Sequence, residues 1–420
     1  MNFVKIRGKN LICKILERQV RNLRLKNSFI VVAVVGSVGK TSTKLAISKV
    51  LSTEKRVRYQ EGNYNDRLTV PLVFFGHSSP SLMNVFSWVK IILSNQKQIK
   101  NFNFDVVVIE LGTDGPGQIK DFQYIYPDIS VVTAVTPEHM EFFDSLDDVA
   151  KEELSVCSFS RVNIINGDDV AKKYLKDLDY KSYGLNLENN IVAKNTSFNN
   201  GQIVEISKNK YEIKLLGNQG AKIALSAYSV AKQLELSEKA IKSGLESLVA
   251  FAGRMNLLEG IKDSLIIDDT YNASPDAVIA GLDVLYAMKA KQKIAILGNM
   301  NELGKFSEEM HRQIGKYCDD KQLDLVITLG PDAQKFITEE ASKKGCEVHA
   351  FSSPFEVGDF VAKKLKSGAV IFAKGSQNKV FAEESLKALL ANKQDAAKLV
   401  RQSKYWLDIK EKQFNRKIES

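Results

Sequence analysis

Long apolar runs and paired cysteines are both missing from this sequence. No run approaches the ~20 apolar residues that a membrane-spanning helix needs. The N-terminal stretch has charges scattered among its apolar residues and so lacks the core of a signal peptide. The 4 cysteines lie far apart with no CxxC pair, which argues against a zinc site or a disulfide framework. We therefore predict a globular cytoplasmic protein, and its 420 residues are enough for roughly two to three domains.

Positive charge is concentrated at the two ends of the chain. Residues 1–26 carry eight Lys and Arg against one Glu, and residues 392–420 carry eight against four acids. The remainder is slightly acidic, although the whole chain has a formal charge of +9, so nucleic-acid binding is not indicated. Ile12, Leu16, Val20 and Leu23 share one face of a predicted N-terminal helix. That helix either packs on the body, which we favour, or rests on an anionic membrane surface.

A strand, a glycine loop and a helix follow one another near residue 36. Phe29–Val35 is a continuous apolar and β-branched run, typical of a buried parallel strand. The loop GSVGKTS comes next and would aim backbone N–H groups and a helix N-terminus at a phosphate. Lys40 would reach the outer phosphates, and the Thr41 hydroxyl would bind Mg²⁺. A full Walker loop has another glycine where Val34 stands, so this stretch alone leaves a structural turn open as the alternative.

Two blocks of alternating strands and helices predict an α/β fold. In the first, apolar runs at Asp105–Ile109, Ile129–Val135 and Val162–Asn166 follow the loop, and QIVEIS and YEIKLL then indicate a β-hairpin. The second begins near Arg254 and repeats the alternation with SLIID, KIAIL, LDLVITL, EVHAF and AVIFA. Such alternation implies parallel sheets with ligands at the carboxyl ends of the strands. We predict a P-loop, parallel-sheet ATPase domain followed by a Rossmann-like, doubly wound C-terminal domain.

Three further residues suit a phosphate site, and each has a structural alternative. Glu110 ends a predicted strand and is placed to hold Mg²⁺, although a surface or capping carboxylate is equally open. His139 follows a buried strand, but a lone histidine is more often a structural hydrogen bonder. Lys151, taken alone, is a solvated helix charge.

The order of the motifs is more specific than any single one. GSVGKTS, GNYNDRLTVP, IELG, TPEHMEFFDSLDDVAKEE, NGDD, GRMN, IDDTYNASPDA, LGNMNELG and KGS follow one another between residues 30 and 390. In this order they resemble the Mur ligases, and DDxYNA, LGxMxELG and KGS are most similar to the branch of MurF type. Because Mur ligases use the short GxxGKT loop, the resemblance favours phosphate binding over a structural turn.

The resemblance implies an ATP-dependent, Mg²⁺-requiring ligase that joins a carboxylate to an amine through an acyl phosphate. The two reacting groups of the first step, the carboxylate and the γ-phosphate of ATP, are both anionic, so positioned cations supply most of the catalytic effect. The MurF branch adds D-alanyl-D-alanine to a muramoyl-tripeptide. The implied partners are therefore a small-molecule cell-wall precursor and an amino acid or dipeptide, with no nucleic acid.

The resemblance also implies roles for individual residues. The implied catalytic residues are Lys40, His139 and Lys151. The implied ATP-binding residues are Gly36, Ser37, Val38, Gly39, Lys40, Thr41, Ser42, Arg254, Asp268 and Asn272. The implied Mg²⁺ ligands are Thr41, Glu110, His139 and Lys151, the last as a carbamate, because an ammonium cannot bind a cation whereas a carbamate offers oxygens. The implied substrate-binding residues are Asn63, Asn65, Asp66, Asn299, Glu302, His311, Lys374 and Ser376.

The sequence departs from the family pattern in three places. Ile223 stands where an asparagine would face adenine, and Gln377 replaces an arginine that could pair with a substrate carboxylate. About thirty residues precede the loop where the MurF type carries a uridine-nucleotide-binding domain, so we expect that domain to be missing. We divide the chain into a basic N-terminal helix (1–27), an ATP-binding domain (28–253), a Rossmann-like domain (254–391) and a basic helical tail (392–420).

Two other functions stay open at this point. One is a Mur-type ligase with a different acceptor, such as a lipid-linked precursor or a polyglutamate-type substrate. The other is a non-catalytic nucleotide-binding module. The joint retention of Lys40, Glu110, His139 and Lys151 favours an enzyme, and the sequence does not determine the oligomeric state.

Overall fold

The computed structural model describes residues 3–137, 140–198 and 200–416. In the first part of the chain the strands are β1 (Ile30–Val35), β2 (Val57–Arg58), β3 (Val106–Glu110), β4 (Ile129–Val132), β5 (Val162–Asn166), β6 (Lys181–Gly184), β7 (Ile191–Phe198), β8 (Gly201–Ile206) and β9 (Asn209–Ile213). They form one sheet in the order β2-β3-β1-β4-β5-β6-β7-β8-β9. The pairs from β2 to β7 are parallel, and β7-β8-β9 is antiparallel.

The second sheet contains β10 (Asn256–Gly260), β11 (Ser264–Asp269), β12 (Lys293–Gly298), β13 (Leu325–Leu329), β14 (Val348–Phe351) and β15 (Val370–Lys374). Its order is β10-β11-β15-β12-β13-β14, and every pair except β10-β11 is parallel. The predicted α/β fold with two parallel sheets is confirmed. The edge strand β10 was not predicted, because its half-exposed antiparallel pattern lacks a continuous apolar run.

The helices pack on the sheets and connect their strands. They are α1 (Phe3–Lys26), α2 (Lys40–Leu51), α3 (Val70–Phe75), α4 (Val85–Lys100), α5 (Leu146–Glu153), α6 (Gly217–Gln233), α7 (Glu238–Glu246), α8 (Pro275–Ala287), α9 (Ser307–Tyr317), α10 (Thr338–Lys343), α11 (Pro354–Lys364), α12 (Glu383–Lys387) and α13 (Lys404–Phe414). None of the helices within the described ranges is long and apolar enough to cross a membrane.

The central position of β1 determines where a ligand can bind. β1 lies between β3 and β4, and its residue Val34 is in register with Glu110, the last residue of β3. Apart from Ile30, which is half-buried, the residues of all three strands are buried, which explains the mainly apolar sequences of these strands. Because the chain passes from β3 on one side of β1 to β4 on the other, the carboxyl ends of these strands meet at a crevice.

Both basic ends of the chain pack on the body. Leu16, Val20 and Leu23 of α1 are fully buried, so the packing that we favoured for this helix is present, and its opposite face remains exposed. In the C-terminal tail, Lys410 of α13 is fully buried and forms ion pairs with two glutamates at the start of α12. The four-part domain division stays a prediction.

Candidate active site

The glycine loop between β1 and α2 requires glycine at two positions. Gly36 has a φ of 123°, and a Cβ there would lie 2.4 Å from Thr133 Oγ1 and 2.8 Å from the backbone nitrogen of Ala134. Gly39 has a φ of 85° and is the N-cap of α2. The loop therefore turns tightly against the end of β4 and presents backbone at the N-terminus of a helix, an arrangement that suits a phosphate. The Lys40 Nζ lies over this loop and donates to the carbonyl oxygens of Gly36 (2.5 Å) and Ser37 (3.3 Å).

Two hard oxygen ligands lie side by side next to the loop. The Thr41 hydroxyl donates to both carboxylate oxygens of Glu110, at 3.2 and 3.0 Å. Lys44, one helical turn after Lys40, forms an ion pair with the same carboxylate at 3.1 Å, and both partners are only 2% exposed. Its Nζ also donates to the carbonyl oxygen of Gly62 at 3.2 Å. Lys44 thus fixes Glu110 and ties the polar GNYND turn to the site.

The sequence offered a signal for Lys44 that we did not use. Lys44 directly precedes the apolar residues Leu45, Ala46 and Ile47, and all four are buried. A lysine in such a position needs a buried anionic partner, because burying an unpaired charge is very unfavourable.

Two consecutive glutamates at the end of α5 hold the loops behind the site. Glu153 is buried, and its Oε2 accepts a hydrogen bond from the backbone N–H of Gly36 at 2.8 Å. Glu152 is also buried and accepts from the backbone N–H groups of Gly117 (2.6 Å) and Ile119 (2.7 Å). Such charge-assisted bonds are stronger than neutral ones. Neither glutamate was predicted, whereas the neighbouring Lys151, which was, is exposed and lines neither of the cavities described next.

A cleft between the two sheets contains two adjoining cavities. The larger, of about 870 Å³, is bordered mainly by apolar side chains, and the smaller, of about 330 Å³, by polar ones. Both cavities are lined by Val38, Gly39, Arg254, Ala277 and Lys374. The phosphate loop therefore lies at the junction of an apolar chamber and a polar one.

Arg254 has the features of a residue that binds a ligand in this cleft. Its guanidinium lies 4.2 Å from the centre of the Tyr271 ring. Its Nε is buried with no hydrogen-bond partner among the described residues. Since buried polar atoms are nearly always hydrogen-bonded, this donor is suited to a ligand oxygen.

Two acidic neighbours on β11 have different surroundings. Asp268 is fully buried, and its carboxylate accepts from the Gly253 N–H at 3.0 Å and from the Thr270 hydroxyl at 2.6 Å. Burial raises the pKa of Asp268 to about 6. Asp269 instead borders the larger cavity and forms an ion pair with Lys374 at 2.5 Å. Burial lowers the pKa of Lys374, and Asp269 opposes this effect.

Comparisons with known proteins identify the family. The family model described as Mur ligase middle domain matches residues 34–231, and the one described as Mur ligase, glutamate ligase domain matches residues 253–377. Together they match more than half of the chain. The chain belongs to the Mur ligase family.

Relatives within the Mur ligase family cover most of the chain. The UDP-N-acetylmuramoyl-tripeptide–D-alanyl-D-alanine ligase of Bacillus subtilis is 26% identical over 370 residues, which are 86% of this chain and 76% of the relative. The ligase of the same name from Haemophilus influenzae is 27% identical, with 83% and 74% covered. The predicted membership of a ligase family, with relatives of MurF type, is confirmed.

Solved Mur ligase structures share the fold. The MurF ligase of Thermotoga maritima in complex with ADP has a TM-score of 0.72 at 24% identity, covering 90% of this chain and 83% of that one. Folylpolyglutamate synthase from the same organism has a TM-score of 0.58 at 15% identity, covering 90% and 93%. At these identities the likeness establishes the architecture alone.

Most of the residues that the Mur ligase resemblance implied do line the cleft. The smaller cavity is lined by Ser37, Val38, Gly39, Lys40, Thr41, Asn63, Asn65, Asp66, Glu110, Arg254, Asn272, Glu302, Lys374 and Gln377. Ser42 and Ile223 border the larger cavity. Glu138 and His139 lie outside the described residues, so the structure gives no position for the predicted histidine ligand.

Four predicted site residues have structural surroundings instead. Asp268 and His311 are fully buried; the His311 Nε2 accepts from the Met300 N–H at 3.0 Å, and its Nδ1 donates to the Ser307 carbonyl at 2.7 Å. The Asn299 side chain accepts from the backbone N–H of Ala333, and Ser376, which is buried, accepts from that of Asn301. These four residues border neither cavity. They hold backbone segments next to the cleft. Sequence motifs alone did not show this, because they do not distinguish a residue that contacts a ligand from one that positions its neighbour.

The donor set next to the loop fits one Mg²⁺. Thr41 and Glu110 offer a hydroxyl and a carboxylate, the oxygen ligands that Mg²⁺ prefers, and Mg²⁺ commonly takes few protein ligands together with phosphates and water. Within the part of the chain that the structure describes, no group of three or more His, Cys, Asp or Glu side chains could hold a metal by itself. The second Mg²⁺ site and the Lys151 carbamate stay predictions.

Proposed function

We propose that the protein is an ATP-dependent ligase that forms an amide bond between a carboxylate and an amine through an acyl phosphate. From the names of its relatives, we infer that the substrates are a UDP-N-acetylmuramoyl-tripeptide and D-alanyl-D-alanine. The observation that carries the proposal is the phosphate loop at the junction of an apolar and a polar cavity, next to Thr41, Glu110 and Arg254.

The two cavities divide the substrates by their chemistry. An adenine ring suits the larger, mainly apolar chamber, where Ile223 replaces the expected asparagine and offers packing instead of hydrogen bonds. The triphosphate would pass over the loop, with its outer phosphates near Lys40 and Arg254. The carboxylate and the amine would then meet in the polar chamber, where Asn63, Asn65 and Gln377 can orient them.

Positive charge is the main requirement of the first step, because a carboxylate attacks an anionic phosphate. Lys40, which follows the glycines of the loop, and Arg254, which lines both cavities, supply positive charge at this place. Mg²⁺, which Thr41 and Glu110 would hold, neutralises phosphate charge when it is bound. Lys44 keeps the Glu110 carboxylate in place from the buried side.

The reaction has a consequence for cellular location. ATP is the proposed co-substrate and all the cysteines are buried thiols, so we place the reaction in the reducing cytoplasm.

Phosphate release from ATP is the direct test of the function. We expect release only when the uridine-nucleotide tripeptide and D-alanyl-D-alanine are both present, with one amide product by mass spectrometry. Lys40→Ala should abolish it, and Lys49→Ala, on the exposed side of the same helix, is the matched control. Release with glutamate and a folate, or with a lipid-linked precursor, would favour the other acceptors. Failure of every acceptor while nucleotide still binds would favour a non-catalytic module.

A further inference from the structure

The outer face of α4 and the turn before it carry a cluster of exposed apolar side chains. It consists of Met83, Val85, Phe86, Val89 and Leu93, hereafter the α4 apolar face. Phe86 is 80% exposed, and Met83 and Val85 are 70% exposed. Single exposed apolar residues are ordinary, but five within eleven residues form a patch that indicates an interaction surface.

The helix that carries this face is held firmly by the protein. Its inner side chains Trp88, Ile91, Asn95 and Ile99 are buried against α1 and the body. Gln19 of α1 donates to the Ile92 carbonyl at 2.9 Å and accepts from Asn95 at 2.7 Å, and Asn84 caps the first turn of α4. Phe86, Val89 and Leu93 follow at i, i+3 and i+7, so they form a stripe on the side away from these contacts. The exposure of the stripe is therefore a property of a fixed helix.

The charged side chains of the segment that carries the stripe are all positive. The sequence has no Asp or Glu from residue 67 to residue 104. Lys90, Lys97 and Lys100 are exposed on the same helix. The neighbouring α1 adds exposed cations, and its one acidic residue, Glu17, is paired with Arg67 at 2.6 Å.

We propose that the α4 apolar face docks on an anionic membrane surface. Apolar side chains on one face of a helix, next to lysines whose long stems can reach up to headgroups, are the features of a helix that lies in a membrane interface. A second copy of the chain fits poorly, because a symmetric contact would bring these lysines against each other. The helix has 16 residues and three lysines, so it lies on the membrane and does not cross it.

Sedimentation with vesicles tests the proposal on the full chain. We expect the protein to sediment with vesicles of phosphatidylcholine and phosphatidylglycerol, much less with phosphatidylcholine alone, and less in high salt. Phe86→Ser combined with Leu93→Ser should abolish sedimentation, whereas Leu187→Ser, which removes an 81% exposed leucine elsewhere, should not. Lys90→Gln or Lys97→Gln should each weaken binding about fivefold, since each cation near the surface adds about 1 kcal/mol. Lys210→Gln is the matched control.

Fluorescence gives a second, independent measurement. In Phe86→Trp, we expect the tryptophan emission to shift to shorter wavelength when anionic vesicles are added. Leu187→Trp is the control and should show no such shift. Every variant is checked by its melting temperature, which should stay unchanged because the side chains are exposed.

Three outcomes would overturn the proposal. The first is no sedimentation of the wild-type protein with anionic vesicles. The second is sedimentation that the double variant retains, which would assign it to the cations of α1. The third is a dimer that Phe86→Ser converts to a monomer, which would assign the face to a second copy.

Discussion

The buried lysine of the C-terminal tail gives the sharpest stability prediction. Lys410 lies 2.9 Å from Glu383 and 2.6 Å from Glu384, and all three side chains are fully buried. Lys410→Met keeps the length and removes the charge, so it leaves two buried carboxylates short of a partner. Breaking a buried ion pair in this way costs about 3–5 kcal/mol. In this variant Glu383 still forms its ion pair with Arg401, and Glu384 still forms its ion pair with Lys387. We therefore expect the free energy of unfolding to fall by the lower end of this range, about 3 kcal/mol.

The assay is urea unfolding followed by tryptophan fluorescence. Trp406 lies on α13 beside Phe381 and the other tryptophan, Trp88, lies on α4, so a Trp88→Phe background isolates the tail. Lys412→Met, at an exposed position of the same helix, is the control. A loss below about 1 kcal/mol for Lys410→Met, the range of an exposed pair, would refute the reasoning.

The pH dependence of this variant has a defined sign. Burial pushes the pKa of Glu384 up, but Lys410 and further donors pull it below its ordinary value overall. The stability contributed by this carboxylate is therefore present above the ordinary carboxyl pKa and lost as the pH falls through the lowered value. In Lys410→Met the carboxylate loses its main partner and protonates at a higher pH. The difference between variant and wild type should accordingly be largest at neutral pH and should shrink in acid.

Three further predictions concern the cleft. Lys40→Ala should abolish ligation at an unchanged melting temperature; near-normal turnover would contradict the role of the phosphate loop. Glu153→Ala, which removes the bond to the Gly36 N–H, should raise the KM for ATP. Lys151→Ala should be nearly inactive and partly rescued by acetate if the predicted carbamate forms, and near-normal turnover of this variant would contradict the carbamate. The pKa of Asp268 rises from 3.8 to about 6 on folding, so stability should fall as pH rises between those values, and Asp268→Asn should remove that slope in unfolding curves at several pH values.

The tail also shows why one basic segment was predicted incompletely. Composition describes residues 392–420 as a solvated run of charges, and most of the charged residues from 392 to 416 are exposed. Arg401 is an exception, because it donates to the carbonyl oxygens of Thr270 and Tyr271 at 2.5 and 2.9 Å. It thereby holds the loop after β11 that borders the cleft. A partner so distant in sequence leaves no local pattern, so only the folded chain reveals it.

The buried parallel strands were the most predictable part of the fold. A strand covered on both faces has no alternation to interpret, and the runs of β1, β3 and β4 are distinctive for that reason. The loop after β1 was less certain from its own residues, because Val34 stands where a full Walker loop has a glycine. The structure gives Gly36 a φ of 123°, a conformation that favours glycine. Motif order then identified the family. Neighbours on a strand point to opposite sides, so only one of Asp268 and Asp269 on β11 faces the cleft. Motif order did not show which of the two it is.

Helical phase explains the different positions of Lys151 and Glu153. Val149, Ala150, Glu152, Glu153 and Leu154 of the segment DDVAKEEL are buried, whereas Lys151 is exposed. Glu153 follows Val149 and Ala150 at i+4 and i+3, so the apolar spacing could have indicated its burial. That spacing does not account for the burial of Glu152. The consequence is chemical. A glutamate in contact with the phosphate loop already offers carboxylate oxygens, whereas a lysine would need carbon dioxide to form a carbamate. If Glu153 supplies the carboxylate behind the loop, activity should not change when bicarbonate is removed from the buffer, and a requirement for bicarbonate would return that role to Lys151.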